Sequence, residues 1–313
     1  MKTHKYSTYE IVEAGLFASI SAVIYFLFGI FSSIPITILI LKYSLKTGIL
    51  ASIVATIIVY FFSGILYTFM FVTIFVFTGI LMAYFIKYKQ IKPYINIIFT
   101  SAIVFFIFIF FLLIFMKLQR IDITSFISQK IEIAKKTALS FSNKFNFSSV
   151  KEREAIINMQ ISFLKKSLPS LFYSSIFINT LLSYFVLQYV CKSFKINLPY
   201  LEKFLQFNLD DYFIWFLLIA FAGVLFLKQY KFLYLLCMNL GIILFIFYFI
   251  QGLAVIKFWF LKYDIKPIFQ LFFFILIFLL GLIIFIGVLG IFDVWFDFRN
   301  LHKKEEEEGK KIL

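Results

Sequence analysis

Histidine is nearly missing from this chain, and its two copies, His4 and His302, lie in the terminal tails. That excludes a histidine acid–base pair, an HExxH helix or a histidine metal cluster from the apolar stretches. Cysteine is as scarce: Cys191 and Cys237 lie in or beside apolar runs without metal-ligand spacing, so neither a zinc site nor a disulfide framework is supported. Of the sixteen acidic residues, Glu305 to Glu308 are in the tail, Asp122, Glu132, Glu152 and Glu154 in one polar stretch, and Glu202, Asp210, Asp211 and Asp264 in connections. Only Glu10, Glu13, Asp293 and Asp297 remain, all near the ends of apolar runs. No Walker A sequence occurs. Ionisable groups are expensive in hydrocarbon and are kept there for work, so their scarcity argues against an enzyme or an ion pump. No catalytic residue, cofactor site or metal site is expected.

What the chain has instead is apolar surface. It is 63% hydrophobic and 22% aromatic over 313 residues, against roughly 45 to 50% apolar in ordinary soluble domains. The composition therefore implies an all-α, polytopic integral membrane helical bundle, with the lipid bilayer as its first partner. A net charge of +14 does not imply nucleic acid, because the lysines and arginines are scattered between apolar runs rather than gathered on one soluble face. They act as topology signals.

The first run, Ile11 to Phe31, is long enough to span, and Ser7 and Glu10 before it have capping-box spacing. Ala14, Ala18 and Ala22 recur every fourth residue along it. Such a small-residue stripe admits a second helix closely, either one of the chain's own or one from a separate subunit. Ser32, Ser33 and Pro35 then interrupt the pattern. A hairpin over 34–62 gathers Lys2, Lys5, Lys42, Lys46, Lys87, Lys89 and Lys92 on one side, and the positive-inside rule makes that side cytoplasmic, together with the amino terminus. Further spans are expected at Asn96 to Met116, Pro169 to Tyr189, Tyr212 to Leu227, Phe232 to Ile256 and Ile268 to Ile291, giving eight or nine hydrophobic segments in all. The last of these would leave the basic tail outside.

The polar stretch Lys117 to Leu168 has helical spacing on both sides of Ser142 to Ser149, with Ser149 and Glu152 again at capping-box spacing, and reads as an external helical hairpin. The chain thus divides into a membrane block at 1–116, the insert at 117–168, a second membrane block at 169–298 and a charged tail at 299–313. Asn179, Asn239 and Gln251 are the candidate polar contacts inside the membrane. Asn239 and Gln251 lie twelve residues apart, about 18 Å along a straight helix, too far to share one small ligand. Asp293 and Asp297 share a helix face by spacing, where a lysine from a neighbouring loop could meet them.

Asn239, the run Gln251 to Ala254 and the motif Leu289 to Arg299, with Gly290, Asp293, Asp297 and Arg299, resemble the YybS-like family of bacterial multi-pass membrane proteins. The amino-terminal part of that family is similar to the substrate-binding S components of energy-coupling-factor transporters. The resemblance implies a bacterial cell membrane location, a transport-related or substrate-binding role with an unidentified small-molecule ligand, and a membrane coupling subunit docked on Ala14, Ala18 and Ala22. The competing expectation is a non-catalytic structural or assembly protein of the envelope.

Overall fold

The computed structural model describes residues 7–120, 123–142, 150–199 and 204–301. Among these, regular structure is entirely helical, and five helices are long and apolar enough to cross a membrane. The chain forms two compact units, one of residues 1–162 with 172–201 and one of 163–171 with 202–313.

In the first unit, α1 (Thr8–Phe28) turns large apolar side chains outward and small ones inward. Leu16, Ile20, Val23 and Leu27 are exposed, whereas Ala18, Ser21 and Ala22 are buried. Lipid is as apolar as leucine, so an inward leucine gains little, while small inward residues let backbones approach. Helix α2 (Ser33–Lys42) has ten residues and rises only about 15 Å, half of the hydrocarbon thickness. It is nevertheless buried from Ser33 to Ile40. Lys42 Nζ bonds the Glu13 carboxylate at 2.6 Å, so α2 ends beside the start of α1. Ser32 lies lower on α1, where its carbonyl accepts the Ser21 hydroxyl. The helix therefore begins deep in the unit and emerges at the end where α1 starts.

Helix α3 (Leu45–Met70) is broken at Gly64, whose φ of +75° and ψ of −179° suit glycine alone. Beyond it the chain returns through a π-helical stretch, Phe71–Val76, α4 (Phe77–Tyr84) and a second π-helical stretch, Phe85–Lys89. Tyr67 lies level with late α1, its carbonyl accepting from Tyr25, while Lys87 reaches Ile40, Leu41 and Tyr43 at the other end. The limbs of this hairpin run 45–63 and 65–89, and Lys42 and Lys87 share one end of the unit, as the charge pattern anticipated. Helix α5 (Pro93–Leu118) follows the same inverted rule, with Asn96, Thr100 and Ser101 buried and Phe99, Phe106 and Phe110 exposed.

The polar stretch supplies α6 (Ile123–Ser142) and the beginning of α7 (Val150–Ser193). Its expected tip, Ser142 to Ser149, lies outside the described residues except for Ser142. The boundary drawn between insert and span at Leu168 and Pro169 is not a break in the helix: the 44-residue α7 contains Pro169. At Ser7 no side-chain cap forms, and Glu10 reaches across to Thr47 instead of back to its own helix.

The second unit contains α8 (Phe213–Phe226), α9 (Lys231–Lys262), α10 (Pro267–Leu279) and α11 (Ile283–Phe296). Here the sequence expectation of one last crossing is corrected. Gly281, at φ +67°, ends α10, and Leu282 N bonds back to Ile277 O. Helix α11 then runs along α9 in the same direction: Gly287 meets Phe245, Gly290 meets Tyr248, Asp293 meets Gln251 and Phe298 meets Trp259. A helix of 13 residues and one of 14 rise only about 20 Å each, so together they enter and return without crossing. Arg299 accordingly touches Leu205 and Phe207, on the segment that leads into α8. Residues 297–301 therefore lie at the same end of this unit as 204–212, opposite the 227–231 turn.

This arrangement fixes an accessibility experiment. With Cys191 and Cys237 replaced by alanine, a cysteine at Asn300 should be labelled from the same side of the membrane as one at Asn208, and from the side opposite one at Gln229. Labelling of positions 300 and 229 from a common side would restore the single crossing.

Candidate functional site

Two buried polar constellations stand out, one in each unit, and they differ in whether their hydrogen bonds are complete. In the first unit the constellation surrounds the start of α2. Gly79 of α4 brings its backbone so close that an added Cβ would meet Ser33 O at 2.7 Å, and a Cβ on Gly48 of α3 would strike the Ile40 side chain. Thr37 Oγ1 bonds Ser33 O and Gly79 O at 2.9 and 3.1 Å. Ser33 donates to the Ser183 hydroxyl of α7 at 3.3 Å. One turn from Ser183, on the same face of α7, Asn179 is buried with both amide atoms unpartnered. The Ser32 hydroxyl, at the N-cap of α2, is fully buried and also unpartnered. Just before it Phe31 holds φ +71°, a conformation costing a non-glycine residue about 1 kcal/mol. The other end of α2 is closed: the Lys87 ammonium uses its three donors on the carbonyls of Ile40, Leu41 and Tyr43 at 2.8, 3.1 and 2.8 Å. The sequence marks Asn179 and the break at Ser32, but nothing in it pairs them, since they are brought together only by the burial of α2.

The alanine stripe is taken up inside the same unit. Ala18 and Ala22 are 0 and 1% exposed and cluster with Ala51, Ala55 and Val59 of α3, with Ala14 packed at the edge. Ala18 and Ala22 thus pack against the chain's own α3, the first of the two arrangements that the stripe allows.

In the second unit Arg299 and Asp293 form a buried ion pair at 2.5 Å. Arg299 also donates to Leu205 O and Phe207 O at 2.9 and 2.8 Å. Asp293 accepts from Phe298 N and Gln251, while Gln251 bonds Asn208 and Leu209 N. Every nitrogen of the guanidinium and both oxygens of the carboxylate thus have partners. The expected lysine does not contact Asp293; the arginine six residues on does so, because the chain turns at Asp297 (φ +39°), which caps the next turn by accepting from Leu301 N at 2.8 Å. Gly290 and Gly252 allow the crossing, since a Cβ on Gly252 would overlap Ile286 O and one on Gly290 would overlap Tyr248 O. The Tyr248 hydroxyl, buried one turn before Gln251, has no partner.

Asn239 has a different task. Its amide accepts from Ser170 N at 3.0 Å and donates to Lys166 O at 2.9 Å, standing between a donor and an acceptor that would otherwise bond each other in the α7 ladder beside Pro169. This lets α7 continue through the proline. Asn239 and Gln251 share no partner.

Among the described residues no group of three or more histidines, cysteines and carboxylates could hold a metal. A family profile described as "Predicted membrane protein (DUF2232)" matches residues 14–294. The chain belongs to the DUF2232 family. The match covers both units, ending within α11 just past Asp293. No curated protein and no solved structure matches the chain. As a DUF2232 member with five crossing-length helices, it is a multi-pass membrane protein.

The ion pair makes a graded stability test. Arg299→Met should destabilise the purified protein by about 3 to 5 kcal/mol, because it strands a buried carboxylate, whereas Arg299→Met with Asp293→Leu should lose less. Thermal unfolding of the two variants side by side would show it, and equal losses would mean that the pair is not desolvated as described.

Proposed function

We propose that this protein is transport-related and that its amino-terminal unit binds a small hydrogen-bonding solute where α2 begins. The observation carrying the reading is the half-length helix itself. Helices that stop partway through a membrane are tolerated only where protein or a water-filled cavity surrounds them, and in transporters such helix ends hold substrate near the midplane. Helix α2 has this form, and its deep end carries the unpartnered Ser32 hydroxyl and, one turn along α7 from its Ser183 contact, the unpartnered Asn179 amide. The α10 and α11 pair repeats the device in the second unit. A bacterial plasma membrane location with the amino terminus cytoplasmic accords with the YybS-like resemblance and with the clustering of Lys42 and Lys87. The S-component similarity adds a substrate-binding role, but the support offered here comes from α2 and not from the alanine stripe.

A structural or assembly role is the second reading, and the closed network around Arg299 favours it for the carboxy-terminal unit. The two separate on ligand binding. Protein purified in mild detergent should release a polar solute on denaturation, near one per chain by mass spectrometry. Asn179→Leu and Ser32→Ala should reduce that occupancy about tenfold, as for loss of one good hydrogen bond in a dry site, without loss of the folded peak on size exclusion. No released solute, together with no shift in melting temperature across a panel of small polar metabolites, would overturn the transport reading.

A further inference from the structure

Between α1 and α3, at the end of the first unit marked by Lys42 and Lys87, lies a groove of about 350 Å³. Ala14 and Gly15 on one side and Leu50 and Val54 on the other line it, with Glu10 and Thr47 at its end. Gly15, Leu50 and Val54 are exposed on the surface that faces lipid, so the groove opens sideways to the bilayer. An added Cβ on Gly15 would meet nothing within 4 Å, which shows how open that wall is.

The groove is apolar except for one buried charge. Glu10 is 4% exposed, and one of its oxygens accepts the Thr47 hydroxyl. None of the described residues bonds the other oxygen, and the nearby lysine that could have paired with it, Lys42, is held by Glu13. A buried carboxylate with a single hydroxyl partner calls for a cationic donor. Lys46, next in sequence to Thr47 of the lining, is exposed, has no ion pair among the described residues, and shares the face of Leu50, one turn along α3. The groove therefore presents a negative group inside its polar end, a positive group at the rim and an apolar slot running away toward lipid. We propose that it binds an aminophospholipid, the primary ammonium of the headgroup on Glu10, the phosphate on Lys46 and the start of an acyl chain against Gly15 and Val54. A primary ammonium can donate hydrogen bonds to a carboxylate, whereas a trimethylammonium cannot, and a headgroup without an amine would bring only like charge to Glu10. The inference is independent of solute binding at α2.

Delipidated full-length protein is tested with phosphatidylethanolamine, phosphatidylcholine and phosphatidylglycerol, reading retained lipid by native mass spectrometry and melting temperature in parallel. Phosphatidylethanolamine should be retained about tenfold better than either of the others, the factor one charge-assisted hydrogen bond supplies. Glu10→Gln keeps an acceptor for Thr47 and should abolish that preference. Gly15→Leu, which adds bulk where the wall is open and replaces a helix glycine, should retain the fold and lose the lipid. Equal retention of the three lipids by the unaltered protein would overturn the proposal, as would full retention by Gly15→Leu; should Glu10→Gln fail to fold, these two results still decide it.

Discussion

A backbone carbonyl or amide in hydrocarbon has no water to bond, so each must find its partner within the protein, and this requirement shapes both units. A helix that crosses fully leaves its unsatisfied ends in the headgroup layer. Helices that stop partway, α2, α10 and α11, leave them inside. The ends of these short helices are met by different devices, except the deep start of α2, where the Ser32 hydroxyl has no partner. The lysine ammonium of Lys87 covers the carbonyls that end α2, and Gly281 folds the end of α10 back on itself. The Arg299 guanidinium gathers the carbonyls of 205 and 207 where α11 leaves the unit. Asn239 performs the same service in mid-helix, bridging the gap that Pro169 opens in α7. The few polar and charged residues within the apolar blocks are thus largely accounted for by backbone groups.

The same solvent inverts the usual reading of an amphipathic helix. In α1 and α5 many large apolar residues face outward, while Ala18, Ser21, Ala22, Asn96, Thr100 and Ser101 face inward, in α5 beside Ile97, Val104 and Phe108. A helix of this kind has no apolar stripe pointing to a core, because lipid and core are equally apolar. Inward faces are instead marked by small size and hydrogen-bonding capacity, and glycine pairs such as Gly252 and Gly290 show the limit of that approach, with backbone against backbone.

How much of this could be read from the sequence follows from the range of each interaction. The helical membrane class needed only composition, and the grouping of Lys42 with Lys87 needed only the charge pattern; the expected hairpin over 34–62 is not found as two crossings, because α2 is too short and the turn comes at Gly64, between limbs 45–63 and 65–89. The break at Ser32 to Pro35 was visible as a break. That the helix after it would be buried was not, because its walls come from Gly48, Gly79 and Ser183, up to 150 residues away in the case of the Ser33 and Ser183 hydroxyls. The partner of Asp293 does not follow from residue spacing, for a related reason. Four-residue spacing to Asp297 suggests a shared helical face, but α11 ends at Asp297, and the turn there swings Arg299 back. The reversal at Gly281 is hidden in the sequence because 268–291 has the length and hydropathy of one span; one positive-φ glycine changes at which end of the unit Arg299 lies.

Completeness of hydrogen bonding separates scaffold from site better than burial or charge does. The Arg299, Asp293 and Gln251 network is the most charged feature of the interior, yet its donors and acceptors are matched, and a ligand could enter only by breaking bonds already made. Around α2 the groups are neutral and weaker, but the Ser32 hydroxyl and both atoms of the Asn179 amide remain to be satisfied. Leaving such groups buried and unmet costs about 1 to 3 kcal/mol each, and a fold that keeps them retains binding energy for whatever meets them. The groove beside Glu10 differs in kind, since there a buried carboxylate with Thr47 as its partner among the described residues stands next to open space. On this criterion the interior ion pair belongs to the architecture, while three of the four unpartnered buried side-chain atoms among the described residues, the Ser32 hydroxyl and the two amide atoms of Asn179, lie in the amino-terminal unit, and the fourth is the Tyr248 hydroxyl beside Gln251.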